Sequence, residues 1–272
     1  MLSLGHIDYL NCVPFFHYLS ALGFSGRIVD GVPSELNRLL SEGEIDVSPS
    51  SSFEYARNWQ DYVLLPGQSI SSAGPVMSVL LFAPGPLEAL EGCEVALTGE
   101  SATSVNLLKI LLAEYVGLQR VRYRVPEEPI ESLVAAGKPA LLIGDRALRE
   151  AGRNDLSCRV HDLGELWYRY TGLPFVFALW ILRREAATSK HAEVRELLGQ
   201  LGASRQRAFA SLTALAAQAP ERSWMGEERL IAYWRCMSYD LDERHLAGLR
   251  LFFELAYRHG LVSQEVPLNF FA

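Results

Sequence analysis

Short apolar runs alternate with amphipathic stretches through the first ninety residues of the chain. "LSLGHI" (2–7) predicts a strand, and a helix follows it, opening near Pro14, a residue suited to a first helical turn. "RIVDGV" (27–32) predicts a second strand. "PSELNRLLSEG" (33–43) predicts a helix with Ser34 as N-cap, Leu36, Leu39 and Leu40 on one face, and Gly43 as terminator. "IDVSP" (45–49) reads as a third short strand, and "SSSFEYARNW" (50–59) opens the next helix. This βαβαβα order belongs to a parallel sheet with helices on both faces.

A second, smaller set repeats the logic. "VMSVLLFAPGPLEAL" (76–90) carries a long buried strand that ends in Pro-Gly-Pro. It is followed by strand "CEVAL" (93–97), loop "TGESATS" (98–104) and a helix over "VNLLKILLAEYVG" (105–117) ended by Gly117. Strand "VRYRV" (121–125), a helix near 130–136 and strand "PALLIGD" (139–145) complete the set. "PFVFALWILRRE" (174–185) is an apolar strand long enough to cross back. From about 186 onward the spacing is helical, with Asp240 or Asp242 capping the last helix and Gly260 ending it. The expectation is an α/β clamshell of two lobes, 1–83 plus 178–272 and 84–177. Its sheets are mixed and flanked by helices, and its ligand cleft lies between the lobes.

At 272 residues, with 49% hydrophobic and 21% charged, the chain has ample apolar material for two cores. A net charge of −7, with acidic residues dispersed, argues against nucleic acid, which requires a basic stripe. Cys12, Cys93, Cys158 and Cys236 lie far apart in no metal-ligand spacing, so free thiols are expected and a zinc site is not. The start of the chain lacks a basic n-region and an uninterrupted apolar core. The uncharged stretch 67–87 contains three prolines and reads as loop, strand and hinge. A cytoplasmic protein without a membrane partner is expected.

Four polar segments follow predicted strands and belong at the cleft edge: "HIDYLN" (6–11), "SPSSS" (48–52), "TGESATS" (98–104) and "IGDRAL" (143–148). The two serine-rich segments place the hydroxyls of Ser50, Ser51, Ser52, Ser101, Thr103 and Ser104 at helix starts. Unpaired N–H groups and a partial positive charge there receive a carboxylate or phosphate. Two such ends facing across a cleft suit a compact dianion; singly, each serine also suits capping its own helix. Asp145 can be a substrate contact, a base or an N-cap. In the first segment His6 and Asp8 read as structural, Tyr9 and Asn11 as functional. Trp167, Trp180, Phe175 and Phe177 read as core or hinge packing, with an aromatic wall for a ring-shaped ligand as the alternative. No GxSxG, HExxH or P-loop signature is present.

Together "GHIDYLNCVPFF", "GVPSELNRLLSEGEIDVSPSSSFEYA", "SSAGPVMSVLLFA", "TGESATSVNLLKILL", "LLIGDRAL" and "DLGELWYRYTGLPFVFALW" resemble the chorismate dehydratases of the futalosine route to menaquinone, in the same order over about two-thirds of the chain. The resemblance implies a fold like the type II periplasmic solute-binding proteins. It implies dehydration of chorismate to 3-[(1-carboxyvinyl)oxy]benzoate, a reaction whose aromatisation calls for no metal or redox cofactor. It maps a family motif onto Asn11. An amide is no base, so Asn11 is expected to hold substrate or the leaving hydroxyl, and the substrate's own carboxylate is an available proton acceptor. The sister family that makes 1,4-dihydroxy-6-naphthoate has an N-terminus like "SPCPNDT", which this chain lacks. A non-catalytic receptor for small anions is the competing reading from another class.

Overall fold

The structure is a computed structural model that describes residues 1–272. It opens with the expected alternation. Strands β1 (Ser3–Ile7), β2 (Arg27–Gly31) and β3 (Val47–Ser51) run parallel with β1 in the middle, joined through helices α1 (Val13–Phe16) and α2 (Pro33–Glu42). Helix α3 (Ser52–Asn58) follows β3 at once. Pro33, not Ser34, opens α2: Val32 is extended at the cap position with no side-chain cap, and a proline at the first turn sacrifices only an N–H that would be unpaired anyway. Gly43, at φ +80°, ends the helix as expected.

The next strand departs from the sequence reading. "YVLLPGQSISS" forms β4 (Tyr62–Ser72), an eleven-residue strand in the interior of the first sheet. Pro66 and Gly67 give it the look of a loop. The ladder with its neighbour slips across this stretch, between the pairs Leu179–Ser69 and Ile181–Leu64, so Pro66 sits where no ladder N–H is required. The chain then crosses in 73–78 to a second sheet and enters it as β5 (Val79–Ala83), five residues rather than a long run.

The second sheet adds β6 (Glu94–Ala96), helix α4 (Ala102–Ile110), β7 (Arg122–Arg124), α5 (Ile130–Ala135), β8 (Ala140–Ile143), α6 (Gly144–Ala151), β9 (Arg159–Asp162) and α7 (Leu163–Thr171). Its order is β7-β6-β8-β5-β9, with β6 parallel to β7 and β8, and β5 antiparallel to β8 and β9. Helix α4 begins three residues earlier than its apolar spacing suggests, because Ser101 accepts a capping bond from Ser104 N, and it closes in a π turn, Leu111–Tyr115.

Strand β10 (Phe175–Arg183) returns to the first sheet and inserts antiparallel between β3 and β4. Sheet membership therefore changes at 73–78 and again just before 175, and both crossings are loops rather than continuous strands. The divisions expected at 83/84 and 177/178 would assign β5 and the first residues of β10 to the opposite sheets.

Helices α8 (Arg184–Ser189), α9 (His191–Ala210), α10 (Leu212–Gln218), α11 (Arg222–Met225) and α12 (Glu227–Cys236) follow, then edge strand β11 (Met237–Leu241) and helix α13 (Glu243–Arg258). Strand β11 is the one break in the expected helical tail. Of the two candidate caps, Asp242 serves α13, accepting from Arg244 N at 2.9 Å and His245 N at 3.1 Å. Helix α13 lies so close to the β10 entry that a Cβ on Gly248 would collide with the Pro174 carbonyl oxygen. No helix is long and apolar enough to cross a membrane. The cysteines are unpaired, and Cys12 is buried.

Candidate active site

The segments after β1, β3, β6 and β8 converge on one cavity between the two sheets, as open α/β topology requires. Tyr9, Asn11 and Cys12 reach it from the first, Ser51 from the second, Ser101 and Ser104 from the third, Gly144 from the fourth. Apolar walls come from Ile70, Phe177, Ala178 and Met237, and the crossing segment adds Val76 and Ser78. The lining holds no Lys, Arg, His, Asp or Glu. A carboxylate bound here meets neutral donors.

The turn after β1 is built by local bonds and gripped from afar. Tyr9 N donates to Ile7 O at 2.8 Å, and Cys12 N to Tyr9 O at 2.9 Å. Between them, Leu10 N donates to Asp145 Oδ1 at 3.3 Å, and Leu10 O accepts from the Trp234 indole at 2.8 Å. Asn11 lines the cavity, and its Oδ1 is buried and unpartnered. An unsatisfied buried acceptor costs about 1–3 kcal/mol, a cost that a bound ligand donor would remove.

The Tyr9 hydroxyl donates to Glu100 Oε2 at 2.8 Å, and Arg146 joins Glu100 Oε1 at 2.7 Å while forking onto Glu131. Burial, then Glu100, pushes the Tyr9 phenol far above its ordinary range, so it remains a donor. What Tyr9 offers the cavity is its ring, which packs on Gly144. That residue has φ +60°, and a Cβ there would come within 3.1 Å of the ring.

The serines divide. Ser51, Ser101 and Ser104 line the cavity, and the first two also cap: Ser51 Oγ accepts from Glu54 N, and Ser101 Oγ accepts from Ser104 N while donating to Ser104 Oγ at 3.0 Å. The Ser104 hydroxyl proton remains available to a ligand. The other four expected contacts lie elsewhere. Ser50 precedes Ser51 on β3, and alternation turns its side chain to the opposite face, where Oγ is buried without a partner. Ser52 donates to Val176 O at 2.8 Å, and Thr103 accepts from Phe53 N at 2.9 Å; both hydroxyls tie α3 to its neighbours instead of lining the cavity. Asp145 is the second residue of α6 rather than its N-cap, and its carboxylate serves Leu10. Among the remaining residues of the first segment, His6 pairs with Asp30 at 2.6 Å and packs on Phe16, a structural role.

Three contributors escaped sequence reasoning. Ser78 lines the cavity and accepts from the fully buried Tyr233 hydroxyl at 2.9 Å. Asp162 caps α7 and also accepts from Val76 N and Met77 N, holding Met77 at φ +61°, a region rare for a residue with a side chain. Trp234 supplies the indole on Leu10. Asp162 has the local signature of an N-cap, but none of these long-range contacts has one, because each joins segments more than eighty residues apart.

Burial pushes the Asp145 carboxyl up to about 6, helped by Glu221 and Asp8 and opposed by the Leu10 amide and Arg149. An unfolded aspartate titrates near about 4. Between those values the folded chain holds a proton that the unfolded chain has released. The stabilisation is full below about 4 and is lost as pH rises through about 6. Asp145→Asn should therefore flatten the fall in stability across that window, read as urea midpoints at the two ends. Parallel wild-type and variant curves would refute the assignment.

Comparison with known proteins places this arrangement. The family described as Menaquinone biosynthesis matches residues 2–258. A chorismate dehydratase from Thermus thermophilus is 38% identical over 265 residues, covering 92% of this chain and 93% of its own. A 1,4-dihydroxy-6-naphthoate synthase from the same organism is 34% identical over 169 residues, 59% of each chain. In structure, the alkanesulfonate-binding protein SsuA from Xanthomonas axonopodis, bound to MOPS, is similar with TM-score 0.70 at 19% identity, covering 97% of this chain and 95% of that one. The likeness is one of fold, the two-sheet architecture of periplasmic binding proteins.

Proposed function

The chain belongs to the menaquinone biosynthesis family, and from that premise we propose that it is a hydro-lyase converting chorismate to 3-[(1-carboxyvinyl)oxy]benzoate. The observation that carries the reading is the unpartnered Asn11 amide in a cavity walled by hydroxyls and apolar groups, in a chain related over 92% of its length to a chorismate dehydratase. The sister activity is supported by a relative that aligns with only 59% of this chain.

The substrate's two carboxylates are met by the Ser51, Ser101 and Ser104 hydroxyls and by the first-turn N–H groups of α4, with no cation required. The Tyr9 ring and Phe177 flank the substrate ring. The proton on the ring carbon bearing the enolpyruvyl ether passes to the substrate's own enolpyruvyl carboxylate, since no protein carboxylate lines the cavity. The electron pair left behind forms the ring double bond as the neighbouring carbon–oxygen bond breaks. The departing hydroxide takes up the same proton and leaves as water, and both carboxylates are retained. Asn11 holds the leaving oxygen through its amide donors while its oxygen accepts from the substrate. Fixing these groups in one geometry is most of the work.

The test is direct. Purified protein incubated with chorismate should release the substituted benzoate, seen by ultraviolet absorbance and by the loss of one water in the mass. Saturable binding without turnover would instead support a small-anion receptor.

A further inference from the structure

The cavity turn is part of the first sheet, yet one of its main-chain bonds runs to the second. The Leu10 N–H, immediately before Asn11, reaches Asp145 on α6, 135 positions away, and the Leu10 carbonyl is held by Trp234 on α12. Asp145 does not cap its own helix and does not line the cavity. The start of α6 is itself fixed, because Arg146 is clamped between Glu100 and Glu131 and Glu100 accepts from Tyr9 in the same turn. Tyr9 and Leu10, the two residues before Asn11, are thus both referenced to the second sheet. A swing of one sheet away from the other would release the Leu10 amide and leave Asn11 without a fixed direction.

We propose that Asp145 is a positioning residue: by accepting the Leu10 N–H across the cleft, it fixes the Asn11 amide only while the two sheets are closed on each other. The inference rests on the dehydratase reading for its kinetic consequences, but not for its structural one. What Asp145 supplies is an acceptor oxygen at one place, not a charge and not a base.

Two substitutions separate these roles. Asp145→Asn keeps an acceptor oxygen and removes the charge; Asp145→Ala removes both. The alanine variant should lose about 10–100-fold in kcat, the scale of a misplaced catalytic group, with KM within about twofold. The asparagine variant should keep kcat within about threefold. Amide hydrogen exchange at Leu10 should accelerate in the alanine variant and stay protected in the asparagine one. An asparagine variant as impaired as alanine would overturn the proposal in favour of a charge or base role. A rise in KM with kcat unchanged would make Asp145 a substrate contact. Wild-type turnover and Leu10 protection in the alanine variant would remove it altogether. Should the alanine variant not fold, kcat and exchange of the asparagine variant decide alone. If the wild type does not turn over chorismate, the dehydratase reading fails, while Leu10 exchange still tests the positioning contact.

Discussion

Asn11→Ala is expected to reduce chorismate turnover by about 10²–10³-fold, the usual loss when one polar group that meets a developing charge is removed. The same variant should melt no lower than the wild type. Asn11 Oδ1 is buried and pairs with nothing, so deleting it removes an unsatisfied acceptor and breaks no bond. The measurement is single-turnover formation of the substituted benzoate together with a calorimetric melt. Unchanged turnover would take Asn11 out of the mechanism; a collapsed melt would show that the amide has a structural partner after all.

Gly248→Ala is expected to have the largest effect on stability, about 3 kcal/mol, at the upper end of overpacking costs. The added Cβ would meet the Pro174 carbonyl oxygen, which is backbone and cannot rotate away, with Leu173 Cβ another 3.5 Å contact. The helix would have to lift from β10. That would open the aromatic cluster in which Phe252 contacts Phe175 at 5.0 Å and Trp167 at 6.3 Å. For a chain of this size the corresponding fall in melting temperature is on the order of 6–12 °C. A urea midpoint matching the wild type would show that α13 and β10 have slack that the geometry denies.

Much of the architecture is written locally. Apolar spacing and end signals located β1 to β3 and the helices between them, and Gly43, Gly260 and Asp242 acted as the terminators and cap their residue types suggest. Strand β4 was missed because Pro66, Gly67 and a run of serines are loop chemistry, and β11 because five residues between two helices carry too short a pattern to break the helical reading. Strand β4 forms where β10 supplies a partner and a slipped register absorbs the proline, and β11 forms by pairing with the far edge of β4. The site divided in the same way. That four strand-end segments would meet was legible from connectivity alone. Which hydroxyls face the cavity was not, since Ser50 and Ser51 are identical neighbours and one residue of register decides between them.

By itself, then, the sequence determined the alternation of elements, the two sheets, the four polar segments at their edges and the family. The elements and their polar ends depend on residues within a few positions of one another, where periodicity and turn chemistry act; the family rests on the resemblance of whole motifs in the same order along the chain. Tertiary structure alone decided that Ser51 rather than Ser50 lines the cavity, that Ser52 and Thr103 brace α3, and that Ser78 and Asp162 shape the crossing. It also decided that Asp145 and Trp234 grip Leu10 so that Asn11 stands unpartnered. Each of these outcomes is a contact between segments far apart in the chain, where position depends on how whole sheets pack and no local pattern carries the information.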